Sequence, residues 1–173
     1  MWRFMFLIPV VVMIGGCVTV PVPLKGEFSN VNPSQAASSG QTGELVRWGG
    51  EIITVTPGET ATCFEVLSRE LDSKARPSEV DSSDGRFIAC RNGFYDPEVF
   101  VTGREMTITG RIDGTENGLV GKYNYTYSHV AADTIYLWPK RPLVIETDYG
   151  WPYSPYWGGG FGPYWGGGLW GPW

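Results

Sequence analysis

Three cysteines and one histidine carry most of the side-chain chemistry open to this 173-residue chain. A lone histidine, His129, removes most imidazole-based catalysis, and no run of residues at metal-ligand spacing accompanies it. There are 18 acidic residues, but no pair sits in a context that assigns acid, base or nucleophile roles. The expectation is a non-enzyme with no catalytic residue, no metal and no dissociable cofactor.

The first cysteine has the clearest chemistry. Arg3 precedes an unbroken apolar stretch, residues 4–14, which leads into Gly15-Gly16-Cys17. That stretch is too short to span a bilayer, which takes about 20 residues. A charged start, an apolar middle and a small-residue exit make residues 1–16 a signal peptide. Ile14-Gly15-Gly16-Cys17 resembles a bacterial lipobox, in which the thiol is diacylglycerylated before cleavage in front of the cysteine. Cys17 is thus the expected mature N-terminus, carrying a covalent diacylglycerol and an N-acyl chain. One myristoyl-length chain binds a membrane only reversibly, at about 0.8 kcal/mol per buried methylene, whereas three chains hold effectively permanently. Val18 stands where aspartate marks inner-membrane retention, so resemblance to that sorting rule points to the outer membrane. The alternative, an ordinary leader with an incidental cysteine, would leave a stray thiol in an oxidising compartment.

Cys63 and Cys90 remain, each inside a strand-like stretch, residues 60–66 and 86–91. An even pair in a periplasm-facing domain reads as one disulfide. Closing a loop of about 28 residues would contribute roughly 3 to 4 kcal/mol. Two buried thiols on strands that do not adjoin are the alternative.

The elements that must position these residues follow from pattern. Residues 17–43 form a lipidated N-terminus and tether without hydrophobic periodicity, interrupted by one short helix where Asn32 caps and Pro33 takes the first helical position. Residues 44–141 carry β patterns. Runs at 49–56 and 60–69 flank the turn Pro57-Gly58-Glu59, and a loop at 72–84 leads to a third strand at 86–91. Asp96-Pro97 has the signature of a second short helix. A fourth strand at 105–113 alternates Met106, Ile108 and Ile112 against Glu105, Thr107, Thr109 and Arg111, a core face and a wet face. A fifth strand region runs from Lys122. Three strands, a short helix and two strands is the order of a five-stranded OB-like Greek-key barrel.

Two aromatic groups offer binding surface. Tyr123, Tyr125 and Tyr127 share a face of the fifth strand, more often a packed sheet face than a ligand platform. Residues 142–173 form a low-complexity tail rich in glycine, proline and aromatics, in which Pro155-Tyr156-Trp157-Gly158-Gly159-Gly160 recurs as Pro163-Tyr164-Trp165-Gly166-Gly167-Gly168. Such a composition builds no core and reads as disordered. Its rings, Trp157, Trp165 and Trp170 among them, suit the bilayer interface or the sugar faces of peptidoglycan and lipopolysaccharide, or envelope proteins. A net charge of -5 and a pI near 4.9 exclude a general nucleic-acid binder. Arg76, Arg86 and Arg104 are expected to pair with Asp72, Asp84 or Asp96, or to converge on an anion.

Five stretches carry a resemblance: Val46-Arg47-Trp48-Gly49-Gly50, Leu71-Asp72-Ser73-Lys74-Ala75-Arg76-Pro77, Gly85-Arg86-Phe87, Asn92-Gly93-Phe94-Tyr95-Asp96-Pro97 and Tyr136-Leu137-Trp138-Pro139. In this order, after a lipobox, they resemble the Slp-type outer membrane lipoproteins of Gram-negative bacteria. The resemblance implies an envelope lipoprotein, associated in some relatives with starvation or stress, and brings no catalytic or binding residues with it. Cys63 and Cys90 depart from the family pattern, so their pairing rests on spacing and compartment. The reading is a non-enzymatic outer membrane lipoprotein, lipid-anchored and facing the periplasm, with a glycan- or lipid-binding module as the alternative.

Overall fold

A computed structural model describes residues 19–142. Five strands, β1 (Leu45–Pro57), β2 (Ala61–Arg69), β3 (Arg86–Asn92), β4 (Glu105–Val120) and β5 (Tyr123–Leu137), close into a barrel of order β1-β2-β3-β5-β4. All neighbours are antiparallel except β3 and β5, which run parallel. The OB-like Greek key is therefore present and closed, with the outer half of the β4–β5 hairpin running past the neighbours that β1 and β3 supply.

The barrel follows from period-two patterning. Thr62, Phe64, Val66 and Ser68 alternate inward along β2, and Phe87 and Ala89 do so on β3. They meet Val46, Trp48 and Ile52 of β1, Met106, Ile108 and Ile112 of β4 and Val130 of β5 in one buried core. Trp48 settles edge-on against Phe87, ring centres 5.3 Å apart, and its indole N–H donates to the Val31 carbonyl at 2.8 Å. That bond satisfies the one polar atom the ring brings into the core.

The hairpin at Pro57-Gly58-Glu59 forms as expected, closed by Gly58 N–H to the Ala61 carbonyl at 2.8 Å. The helix at Asn32 also forms, as α1 (Pro33–Ser39). Asn32 and Gln35 make a reciprocal capping box, and Gly40 ends the helix in the left-handed conformation at φ 64°. Ala36 of α1 is wholly buried in the barrel core, and Ser128 of β5 donates to the Pro33 carbonyl at 2.7 Å.

Three expectations are corrected. The helix between the third and fourth strands is only a turn: Val99 and Phe100 N–H both reach the Asp96 carbonyl at 3.0 Å, and the chain goes no further. Tyr95 and Phe100 instead turn onto Phe64, with ring centres 5.6 and 5.3 Å away. That aromatic packing fixes the loop and replaces the helix. Second, β4 runs on to Val120 rather than stopping near Asp113, because β4 and β5 form one long hairpin around Gly121, whose φ of 63° suits a two-residue turn.

Third, the stretch before α1 and the outer face of β4 are not wet throughout: Leu24 in the first and Thr107 and Thr109 in the second are buried, while Arg111 stays exposed. A 3₁₀ turn at Val22–Leu24 lays Leu24 wholly buried on the barrel's outer wall, against Ala75 and Trp138, with Leu71, Tyr136 and Val20 around them. This second cluster covers Thr107, whose hydroxyl donates to the Ala75 carbonyl at 2.8 Å and accepts from the Trp138 indole at 2.9 Å. Arg47 ties the segment down by donating to the Leu24 carbonyl at 2.9 Å.

Candidate functional site

The chemistry gathers on the outer wall where β2, β3 and β5 meet. Cys63 and Cys90 both point outward and stand directly opposite one another in the β2–β3 register. Their sulfurs are bonded, 1.98 Å apart, across a sequence separation of 27. His129 of β5 reaches the same spot because β5 runs beside β3, with Cys90 opposite Ala131 and Ile88 opposite His129. Its Nε2 lies 3.1 Å from Cys90 Sγ.

Behind the imidazole stands Asp113, its Oδ1 2.5 Å from His129 Nδ1. A bulge puts it there. Ile112 pairs with Val130 and Gly114 with His129, which leaves Asp113 as the extra residue on β4, and a bulge re-aims the side chain it carries. The carboxylate accepts a hydrogen bond from Nδ1–H, and Nε2 is the nitrogen turned to the sulfur. Cys63, Cys90 and His129 hold their ligand-type atoms within 4.8 Å of one another. With both sulfurs bonded to each other, neither offers a thiolate, and the trio in this state is no metal centre. These half-buried groups line an open cleft of about 320 Å³ with Thr54, Thr56, Glu65 and Glu116.

The other polar groups on this wall are tied into structure. Glu65 accepts from Arg86 at 2.8 Å and from the Tyr127 hydroxyl at 3.0 Å. The hydrogen bond to Glu65 raises Arg86 above its ordinary value, and burial, helped by the same carboxylate, raises Tyr127. Tyr125 accepts from the Arg86 backbone N–H at 2.9 Å. Of the expected tyrosine face, Tyr127 is buried, Tyr125 is engaged, and Tyr123 alone is well exposed, at 71%. The three do not form one contact platform. Cys17, Trp157, Trp165 and Trp170 lie outside the described residues.

The arginines also find partners other than the loop aspartates. Arg76 pairs with Glu105 at 2.6 Å, donates to the Pro139 carbonyl and lies over Trp138. Arg86 takes Glu65, and Arg104 donates to the Trp138 carbonyl at 2.8 Å. The glutamates lie on β2 and β4, where a pleated wall holds the pair in register, and no anion site results. Asp72 is used locally, accepting from Lys74 and Arg76 N–H to close the loop.

A pH dependence follows from Tyr127. Its folded value lies above the usual one near 10, so above that pH the unfolded chain has lost a proton that the folded chain keeps. Its contribution is fully present below about pH 10 and is lost as pH rises through the folded value. Urea denaturation at about pH 8 and about pH 11 is expected to show a fall in midpoint that Tyr127→Phe lessens. An unchanged fall would remove Tyr127 as its source.

Comparison with known proteins finds relatives along most of the chain. The family model described as "Outer membrane lipoprotein Slp family" matches residues 14–165. The chain is 32% identical to "Outer membrane protein Slp" of Escherichia coli (strain K12), covering 86% of this chain and 85% of that protein. It is 34% identical to "Uncharacterized lipoprotein YeaY" of the same strain, covering 86% and 77%. An uncharacterized protein of Haemophilus influenzae is 35% identical, covering 79% and 74%. No solved structure matches.

Proposed function

The chain belongs to the Slp family of outer membrane lipoproteins, and from that premise we propose a non-enzymatic, stress-associated envelope component, anchored by lipid on Cys17 and facing the periplasm. One observation carries the reading: the family match begins at residue 14, so it takes in Cys17 and its lipobox together with the barrel. The fit of the polar residues supports the absence of catalysis. Glu65, Arg86, Tyr125, Tyr127, Arg76 and Glu105 are engaged in holding strands and loops.

Density separation of membranes and protease treatment of cells test this reading together. The protein is expected in the dense outer-membrane fraction, resistant to protease in intact cells and digested once the outer membrane is permeabilised. Recovery with the inner membrane would overturn the location. Digestion in intact cells would overturn the orientation.

A further inference from the structure

We propose that the Cys63–Cys90 disulfide is a thiol-exchange site, with Cys63 the sulfur attacked, Cys90 the leaving sulfur and His129 its partner. The inference is independent of how the protein is anchored. A disulfide that only staples strands needs no base or acid beside it. Here an imidazole lies 3.1 Å from one of the two sulfurs, Cys90 Sγ, and a carboxylate on a third strand fixes the ring. Three elements converge on one sulfur, and the bulge that aims Asp113 has this contact as its product.

The cleft gives a reactant access. It is about 320 Å³, open, and includes both cysteines, room for a small thiol or for the exposed thiol of a protein. Glu65 of β2 and Glu116 of β4 line it, Asp113 stands behind the imidazole, and Arg86 is taken by Glu65. A neutral or cationic thiol compound therefore suits the cleft better than a strongly anionic one.

The co-reactant is a dithiol, a small molecule or a protein with two neighbouring thiols. One of its thiolates attacks Cys63 Sγ, a new S–S bond forms, and the Cys63–Cys90 bond breaks. The electron pair leaves on Cys90 Sγ, beside His129 Nε2, and takes a proton from the imidazolium or from solvent. The dithiol's second thiolate then attacks its own partner sulfur in the mixed disulfide and releases Cys63, which solvent protonates. One protein disulfide and one external dithiol become one protein dithiol and one external disulfide, a transfer of two electrons and two protons. Stabilising the leaving thiolate speeds exchange, since a thiol of lower pKa leaves faster.

The test uses the full-length protein in detergent. Reduced glutathione, a monothiol, is added briefly, the reaction is quenched in acid, free thiols are alkylated, and peptides are mapped by mass. Glutathione is expected on Cys63 with Cys90 alkylated. The rate of reduction by dithiothreitol is expected to fall about tenfold in His129→Gln, with Asp113→Asn between that variant and the parent. Near-ultraviolet circular dichroism checks that both variants remain folded. Glutathione on Cys90, or spread equally over both cysteines, overturns the assignment, and this reading needs no variant. A disulfide inert to both reagents, or a folded His129→Gln reduced at the parent rate, overturns it as well.

Discussion

Replacing Gly50 by alanine is expected to leave the barrel largely unfolded. An ideal Cβ at this position would stand 1.9 Å from the Leu67 carbonyl oxygen, 2.7 Å from its carbon and 3.0 Å from Ser68 Cα. All three are backbone atoms of β2, and Gly50 pairs with Ser68 on one side and Met106 on the other. No side chain can swing away to make room. The strands must part, and their ladder and the core beneath would go with them. The cost belongs with the severe backbone cases, above about 4 kcal/mol, against a total stability of roughly 5 to 15 kcal/mol for a domain. Gly114→Ala is the control, because nothing lies within 4 Å of its Cβ, and a change within about 0.5 kcal/mol is expected there. Thermal melts of the two variants decide the matter: a Gly50→Ala protein melting within a few degrees of the parent would refute the steric account.

Cys17→Ser is expected to abolish labelled palmitate incorporation and to release the protein from the outer membrane. Serine has no thiol to take the diacylglycerol, and processing in front of residue 17 depends on that modification. The loss is large because the attachment is a sum over methylenes at about 0.8 kcal/mol each, and nothing in the described residues replaces it. No helix there is long and apolar enough to cross a membrane. Incorporation at the parent level in Cys17→Ser would place the lipid elsewhere.

How much of this was legible in the sequence depended on whether a signal was local. The β run of β2, the Pro57-Gly58 turn and the Asn32-Pro33 cap all act within a few residues, and each appears in the structure. The helix expected at Asp96 had an equally good local signal. It lost to the tertiary packing of Tyr95 and Phe100 on Phe64, which propensity cannot see. Leu24 ends a Pro-containing stretch that also holds Val18, Val20 and Val22. Its burial depends on a patch made by Ala75 and Trp138, far along the chain, which nothing local singles out.

The disulfide cluster shows the same division. Both cysteines lay on readable strands, but nothing near them in sequence pointed to His129 or Asp113. The parallel β3–β5 pairing and a one-residue bulge bring them together. The sequence offered His129 only as a lone histidine, without partners at ligand or catalytic spacing.

The docking of Leu24 sets a leash length. Six residues lie between it and Cys17, and even fully extended the seven steps from one to the other span at most about 25 Å. A lipid at Cys17 would therefore keep the barrel close to the membrane surface. Whatever meets its walls, a thiol partner at Cys63 included, would have to come into that shallow layer to do so.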